Sequence, residues 1–289
     1  MHLHADDIAI WIARLDEADD GALAARWRAL LDACERAREP RYRLAVDRRR
    51  HLLARALART ALSRHTGIAP QRLRFVRGRH GKPELAGDNP GDYRFNLSHA
   101  AGTVALAVAR GRALGIDTES LRARALSLGA VERNFAADEI AELRALPAAA
   151  RARRTIEHWT LKEAYAKARG TGLSLPLDRF GVRLEDARLR LWMAPGFDDA
   201  PERWRLWQFI DGEDQLLALC AQHRPGAAPA RIQAIACSPL RYETPIDLRL
   251  LRASGEDPSL VVDPRPVEDP RPASEESREN DDRPLLASY

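Results

Sequence analysis

Between Ile8 and Leu15 apolar residues recur at alternating positions, the period of a strand, and Asp19-Asp20-Gly21 breaks the run. Residues 22–38 read as a helix that Pro40 ends, because proline disfavours a helical residue before it. Residues 42–65 read as a longer helix with Leu44, Leu52, Leu53, Ala56, Leu57 and Leu62 on its core stripe. Gly67-Ile68-Ala69-Pro70 is a turn, 73–76 a short strand, and Gly81-Lys82-Pro83 a second turn around one positive charge. A loop over 95–102 enters an uncharged, β-branched run at 103–109, the pattern of a buried strand. Arg110-Gly111-Arg112 turns the chain, and 113–119 is expected to return as a hairpin. A helix over 135–146 stops at Pro147, and a longer one follows over 151–169. Strands are expected at 180–184, 188–193, 204–210 and 216–221. Strand, helices and strands thus occur twice, which predicts an α+β fold of two halves. The halves are placed at 1–111 and 112–225. After Pro225 the pattern fades, and 226–289 is read as a mostly disordered extension.

The helix that ends at Gly170 carries the densest chemistry. Trp159, Glu163 and Lys167 fall at i, i+4 and i+8 and share one face, while Leu161, Ala164, Tyr165 and Ala168 make a packing stripe. Taken alone, this is an ordinary amphipathic helix. Asp117 and Glu119, two apart at the end of a buried strand, project from one face. Like charges so placed need a cation or basic groups between them, and hard oxygen ligands suit Mg²⁺ beside a substrate phosphate. Arg48, Arg49, Arg50 and His51 form a cationic cluster, of which one or two side chains could face a phosphate. Ser98 and His99 are adjacent and diverge in an extended chain. No GxSxG elbow is present, so they are read as binding residues and not as a nucleophile and its base.

Composition changes the picture modestly. Of 289 residues 45% are hydrophobic, enough for a core. No run is long enough to span a bilayer, and the first residues lack a signal-peptide pattern. Cys34, Cys220 and Cys237 are scattered, which argues against a disulfide framework or a zinc site. The expected location is the cytoplasm, without membrane attachment. The net charge of +4 is uneven: Ala253 to Tyr289 hold ten acidic residues against four arginines, which leaves +10 on the rest. A basic body suggests an anionic partner. A non-catalytic module for nucleic acid or carrier proteins is therefore the alternative to an enzyme. Aromatic residues, at 6%, are not interleaved with the basic clusters as stacking platforms would be, so no nucleic acid is expected.

Asn96-Leu97-Ser98-His99, Gly115-Ile116-Asp117-Thr118-Glu119 and the run from Trp159 to Lys167 occur in this order, together with Gly81-Lys82-Pro83 and the loop 170–177. In these motifs the chain resembles the 4′-phosphopantetheinyl transferases of the surfactin-synthetase-activating type, from about residue 38 to 221. The resemblance implies two similar α/β halves about a pseudo-two-fold, with coenzyme A between them, followed here by the disordered acidic tail. It implies a monomer that transfers phosphopantetheine to a serine of an apo acyl or peptidyl carrier protein, with Mg²⁺, releasing adenosine 3′,5′-bisphosphate. By position, Asp117, Glu119 and Glu163 would hold Mg²⁺, and Ser98 and His99 would contact the phosphates. Lys82 would sit near the adenine and its phosphates, and Arg50 and Arg38 near the 3′-phosphate. Lys167 would meet the transferred phosphate, with Lys162 in support, and Glu163 would take the serine proton directly or through a metal-bound water. Two departures stand out: Ala136 replaces a frequent capping serine, leaving Glu139 without a hydroxyl partner, and Glu35 falls where a lysine is common.

Overall fold

The computed structural model describes residues 3–15, 21–78, 80–87, 91–100, 102–122, 128–255 and 258–261. Its first sheet holds β1 (Asp7–Arg14), β4 (Tyr93–Ala100), β5 (Thr103–Arg110), β11 (Arg231–Ser238) and β12 (Tyr242–Ile246), in the order β12-β11-β1-β5-β4, with β14 (Ser259–Leu260) against β11. The second runs β6-β10-β9-β13-β8-β7, from β6 (Leu114–Ser120), β7 (Phe180–Glu185), β8 (Arg188–Met193), β9 (Trp204–Asp211), β10 (Gln215–Gln222) and β13 (Arg249–Ala253). A two-stranded ribbon pairs β2 (Phe75–Arg77) with β3 (Pro83–Leu85).

Strand alternation explains the layering. Ile8, Ile10 and Ile12 join Ala105, Ala107 and Ala109 in a core shared with Trp207, Phe209, Leu217 and Leu219 of the second sheet. Ala9, Trp11 and Ala13 face the opposite way, into a core built with α3 (Ala45–Thr66) through Leu52, Leu53, Ala56 and Leu57. On the second sheet α6 (Ala148–Arg169) plays the same part, packing Leu161, Ala164 and Tyr165 on Phe180, Val182, Leu206 and Ala218. Both helices are 22 residues long and end on a glycine in the left-handed region, Gly67 and Gly170. The order is helix, sheet, sheet, helix, an α+β fold of two sheet-containing halves.

Several expectations need correction. The helix read at 22–38 is α1 (Gly21–Leu30), then α2 (Ala33–Arg36) and a 3₁₀ turn at Glu39–Arg41. Asp32 and Glu35 interrupt it by closing a capping box, each side chain accepting the other's backbone N–H at 2.9 and 3.1 Å. Glu35 is buried and ion-paired at 2.6 Å to Arg59, which is itself fully buried, so it belongs to the core here. The stretch 95–102 is no entry loop, since Tyr93–Ala100 is a full strand paired with β5. Nor does β6 return along β5 as a hairpin: it crosses to the second sheet and pairs with β10. Residues 226–261 do not trail away. They supply β11, β12 and β14 to the first sheet and β13 to the second. The acidic stretch beyond residue 261 lies outside the described residues.

The crossing places β6 between β4 and α6. Asn96 Oδ1 accepts the Ile116 N–H at 2.8 Å, which bonds the halves together. On the other side Gly115 lets α6 come close: a Cβ there would lie 2.1 Å from the Ala164 carbonyl oxygen and 2.3 Å from the Ala168 nitrogen. Gly115→Ala is expected to cost about 1–3 kcal/mol, the penalty of overpacking against rigid backbone, read as a lower denaturation midpoint.

Candidate active site

At the seam, Asp117 on β6 is buried. Its Oδ1 accepts the Ser98 hydroxyl at 2.7 Å and the Lys167 ammonium at 2.5 Å, while Lys167 also donates to Ser98 at 2.9 Å. One residue from each of β4, β6 and α6 thus closes a triangle across the two halves. Ser98 takes part because it occupies a buried position of β4, and His99, next along the strand, is exposed. Although His99 is exposed by surface area, partial desolvation of its ring, followed by the nearby Arg50 guanidinium, pushes its pKa down, and Lys167 acts in the same sense. Arg50, in the first turns of α3 and ion-paired to Asp47, is close enough to His99 for its charge to act there.

Three carboxylates share this region. Burial raises the Asp117 pKa despite Lys167. Burial, and then the charges of Asp117 and Glu163, raise Glu119 to about 7. Burial and Asp117 raise Glu163. Each therefore resists ionising beside the others. No group of three or more His, Cys, Asp or Glu side chains lies close enough to hold a metal among the described residues, and Lys167 is ion-paired with Asp117. The donor set nevertheless fits a hard divalent cation. All three are oxygen ligands, and Asp117 Oδ2 is buried with no hydrogen-bond partner.

Lys82 and Lys162 are both engaged by the protein itself. The Lys82 ammonium donates to the carbonyls of Leu114 and Lys167, each at 2.8 Å, and burial pushes its pKa down to about 8. It clamps β6 to α6 with two of its three donors, and it also lines a hollow with Pro83, Arg94 and Gly170. Lys162 is fully buried, bonded to Glu139 at 2.7 Å and to the Phe180 carbonyl at 2.6 Å, over the Phe180 ring. Helical rotation turns it away from the stripe of Glu163 and Lys167, so it supports the core and not the transferred phosphate. Glu139 accepts the Ala136 N–H at 2.9 Å, so half of a capping box survives without the serine. Trp159 stacks on Phe135 at 6.4 Å. Arg38 stands half-buried just beyond α2, and no contact joins it to the carboxylates among the described residues. Asn96 joins the seam as well, by accepting the Ile116 N–H. A side-chain amide on a strand that enters a buried hairpin was the available signal.

This combination of fold and seam is that of a transferase family. The sequence model of the 4′-phosphopantetheinyl transferase superfamily matches residues 113–220, and that of the 4′-phosphopantetheinyl transferase N-terminal region matches residues 23–111. A phosphopantetheinyl transferase of Thraustochytrium is 32% identical over 233 residues, covering 74% of this chain and 79% of that protein. A 4′-phosphopantetheinyl transferase of Bacillus subtilis is 30% identical over 199 residues, 68% of this chain and 85% of that one. An L-aminoadipate-semialdehyde dehydrogenase-phosphopantetheinyl transferase of Eremothecium gossypii is 40% identical over 141 residues, 45% and 50% of the two chains. The chain belongs to the 4′-phosphopantetheinyl transferase superfamily. Within it, the likeness to Bacillus proteins, among them Sfp of Bacillus subtilis at 36% identity over 138 residues, marks it as an enzyme of the Sfp-like type.

Proposed function

We propose that this enzyme transfers the 4′-phosphopantetheine arm of coenzyme A to a serine hydroxyl of an apo carrier protein. The observation that carries the reading is the joining of Ser98, Asp117 and Lys167 across the seam, with Glu119 and Glu163 beside them. The serine oxygen forms a bond to the phosphorus that carries pantetheine. The bond from that phosphorus to the 5′-phosphate oxygen breaks, and adenosine 3′,5′-bisphosphate leaves with the electron pair. Such a reaction needs alignment and charge cancellation more than covalent help from the protein.

Asp117, Glu119 and Glu163 would hold Mg²⁺, which when bound supplies charge neutralisation at the pyrophosphate. Lys167, partly exposed at the seam, would then be free to meet the transferred phosphoryl oxygens with its long stem. Ser98 and His99 orient the pyrophosphate, and Arg50 meets the 3′-phosphate with its forked donors. Glu163 takes the proton of the attacking hydroxyl, directly or through a metal-bound water. The enzyme acts as a monomer in the cytoplasm, and its partner is a protein and not nucleic acid. No described helix is long and apolar enough to cross a membrane.

Apo carrier protein mixed with this protein, coenzyme A and Mg²⁺ is expected to gain the mass of phosphopantetheine. No gain with several acyl and peptidyl carriers would overturn the proposal. Independently of activity, saturating Mg²⁺ is expected to raise the melting temperature by a few degrees, since a ligand at about 100 times its Kd adds about 2.7 kcal/mol. Asp117→Asn should abolish that rise.

A further inference from the structure

A cavity lies at the end of β6 away from Asp117. Arg112, just before that strand, lines a space of about 760 Å³ together with Arg188, Arg205, Trp207, His223 and Arg224. The rest of its wall is small neutral residues, and no carboxylate lines it. Five positions separate Arg112 from Asp117, about 17 Å of extended chain, so the cavity is away from the carboxylates, although Arg112 also lines the hollow that holds Lys82.

The fold builds this cluster deliberately. The segment 223–230 carries the chain from β10 back to β11 and roofs the end of the sandwich. Arg224 is pinned by the carbonyls of Ala5, Arg110 and Gly111 at 3.2, 3.0 and 2.9 Å. Arg112 is 7% exposed and donates to the Asp6 carbonyl at 3.1 Å. Burial, then the charge of Arg224, lowers its pKa to about 10, although Asp6 and Asp7 nearby act the other way. Burial, then Arg205 and Arg112, lower His223. The cations therefore feel one another. Two buried donors on lining residues, Arg112 Nε and Trp207 Nε1, have no hydrogen-bond partner. A buried N–H without an acceptor is unfavourable, and here two occur beside a concentration of guanidinium groups whose geometry matches phosphate oxygens.

We propose that this cavity is a second anion site that takes a small phosphate-bearing molecule, separate from the coenzyme A seam. Its volume exceeds that of a bare ion and lies in the range of small-ligand pockets. The site would fill whether or not the enzyme is turning over.

Calorimetric titration of the full chain with inorganic pyrophosphate, without Mg²⁺, tests this at low and moderate ionic strength. Binding is expected to persist when coenzyme A is present in excess. It should weaken about tenfold for each guanidinium removed, and so about a hundredfold in Arg188→Ala/Arg205→Ala. Both side chains are at least partly exposed, so that variant should fold and should retain transfer to carrier protein. Lys167→Ala should leave this binding unchanged. Pyrophosphate uptake that coenzyme A displaces completely, that Lys167→Ala abolishes, or that the double variant leaves intact would overturn the proposal, as would no uptake at all. None of these results depends on whether the transfer reaction occurs.

Discussion

Glu163→Ala is expected to lower transfer to an apo carrier protein by about 10³-fold or more, since a positioned base alone contributes about 10²–10⁴-fold and a cation ligand is lost with it. Folding should be unharmed or improved. Burial and the Asp117 charge both raise the Glu163 pKa, so the folded state is working against this carboxylate, and its removal relieves that strain. The informative comparison is single-turnover transfer by Glu163→Gln. The amide keeps an oxygen ligand and cannot take a proton, so a loss equal to that of alanine identifies the base as the limiting role. Full activity in either variant would remove Glu163 from the mechanism.

The largest effect on stability is expected at Glu139. This buried carboxylate accepts from Lys162 at 2.7 Å, Ala136 N at 2.9 Å and Val182 N at 3.0 Å, and faces His158 Nδ1 at 3.4 Å. Alanine would strand a buried ammonium and two backbone donors, and removing one partner of a buried ion pair costs about 3–5 kcal/mol. Urea midpoints should show it. Glu139→Leu with Lys162→Met should recover part of the loss, but not all, because the two N–H groups remain unpaired. Burial pushes the Glu139 pKa up, yet hydrogen bonds and charge from His158 and Lys162 overcome it and hold it at about 2, below the usual 4.5. A depressed carboxylate stabilises the fold fully above its unfolded value. Its contribution should therefore fade as pH drops from 4.5 through 2, and the gap between wild type and Glu139→Ala should narrow over that window.

These two carboxylates show what the linear chain discloses. That Trp159, Glu163 and Lys167 share one helical face is legible from their intervals of four, and that Asp117 and Glu119 share one strand face from their spacing of two. The same helical rule excludes Lys162 from the first face, although the family resemblance implies a supporting role for it. Strand existence was legible wherever uncharged runs or alternation were strong, as in β5 and β7 to β10. Partners were not. Nothing local in 113–119 says that β6 leaves β5 for β10, because backbone pairing has no side-chain code. β11 was missed because a strand covered on both faces loses its alternation, and small residues such as Ala234 and Ala236 weaken what is left. Lys82 and Lys162 share one lesson: a lysine can be consumed by main-chain carbonyls or a buried acid that only the fold reveals.

The parallel pairing of β1 with β11, in which Ile8 lies opposite Ile232, carries a consequence for biogenesis. During translation the earliest strand leaves the ribosome long before its neighbour is made. Until then the nascent sheet presents a bare edge, the kind that invites wrong partners, and such distant pairings close slowly. A ribosome stalled near residue 225 would thus hold a polypeptide with the transfer seam's side chains already synthesised but one flank of β1 unsealed. Neither half is suited to be cut out and expressed as an autonomous module.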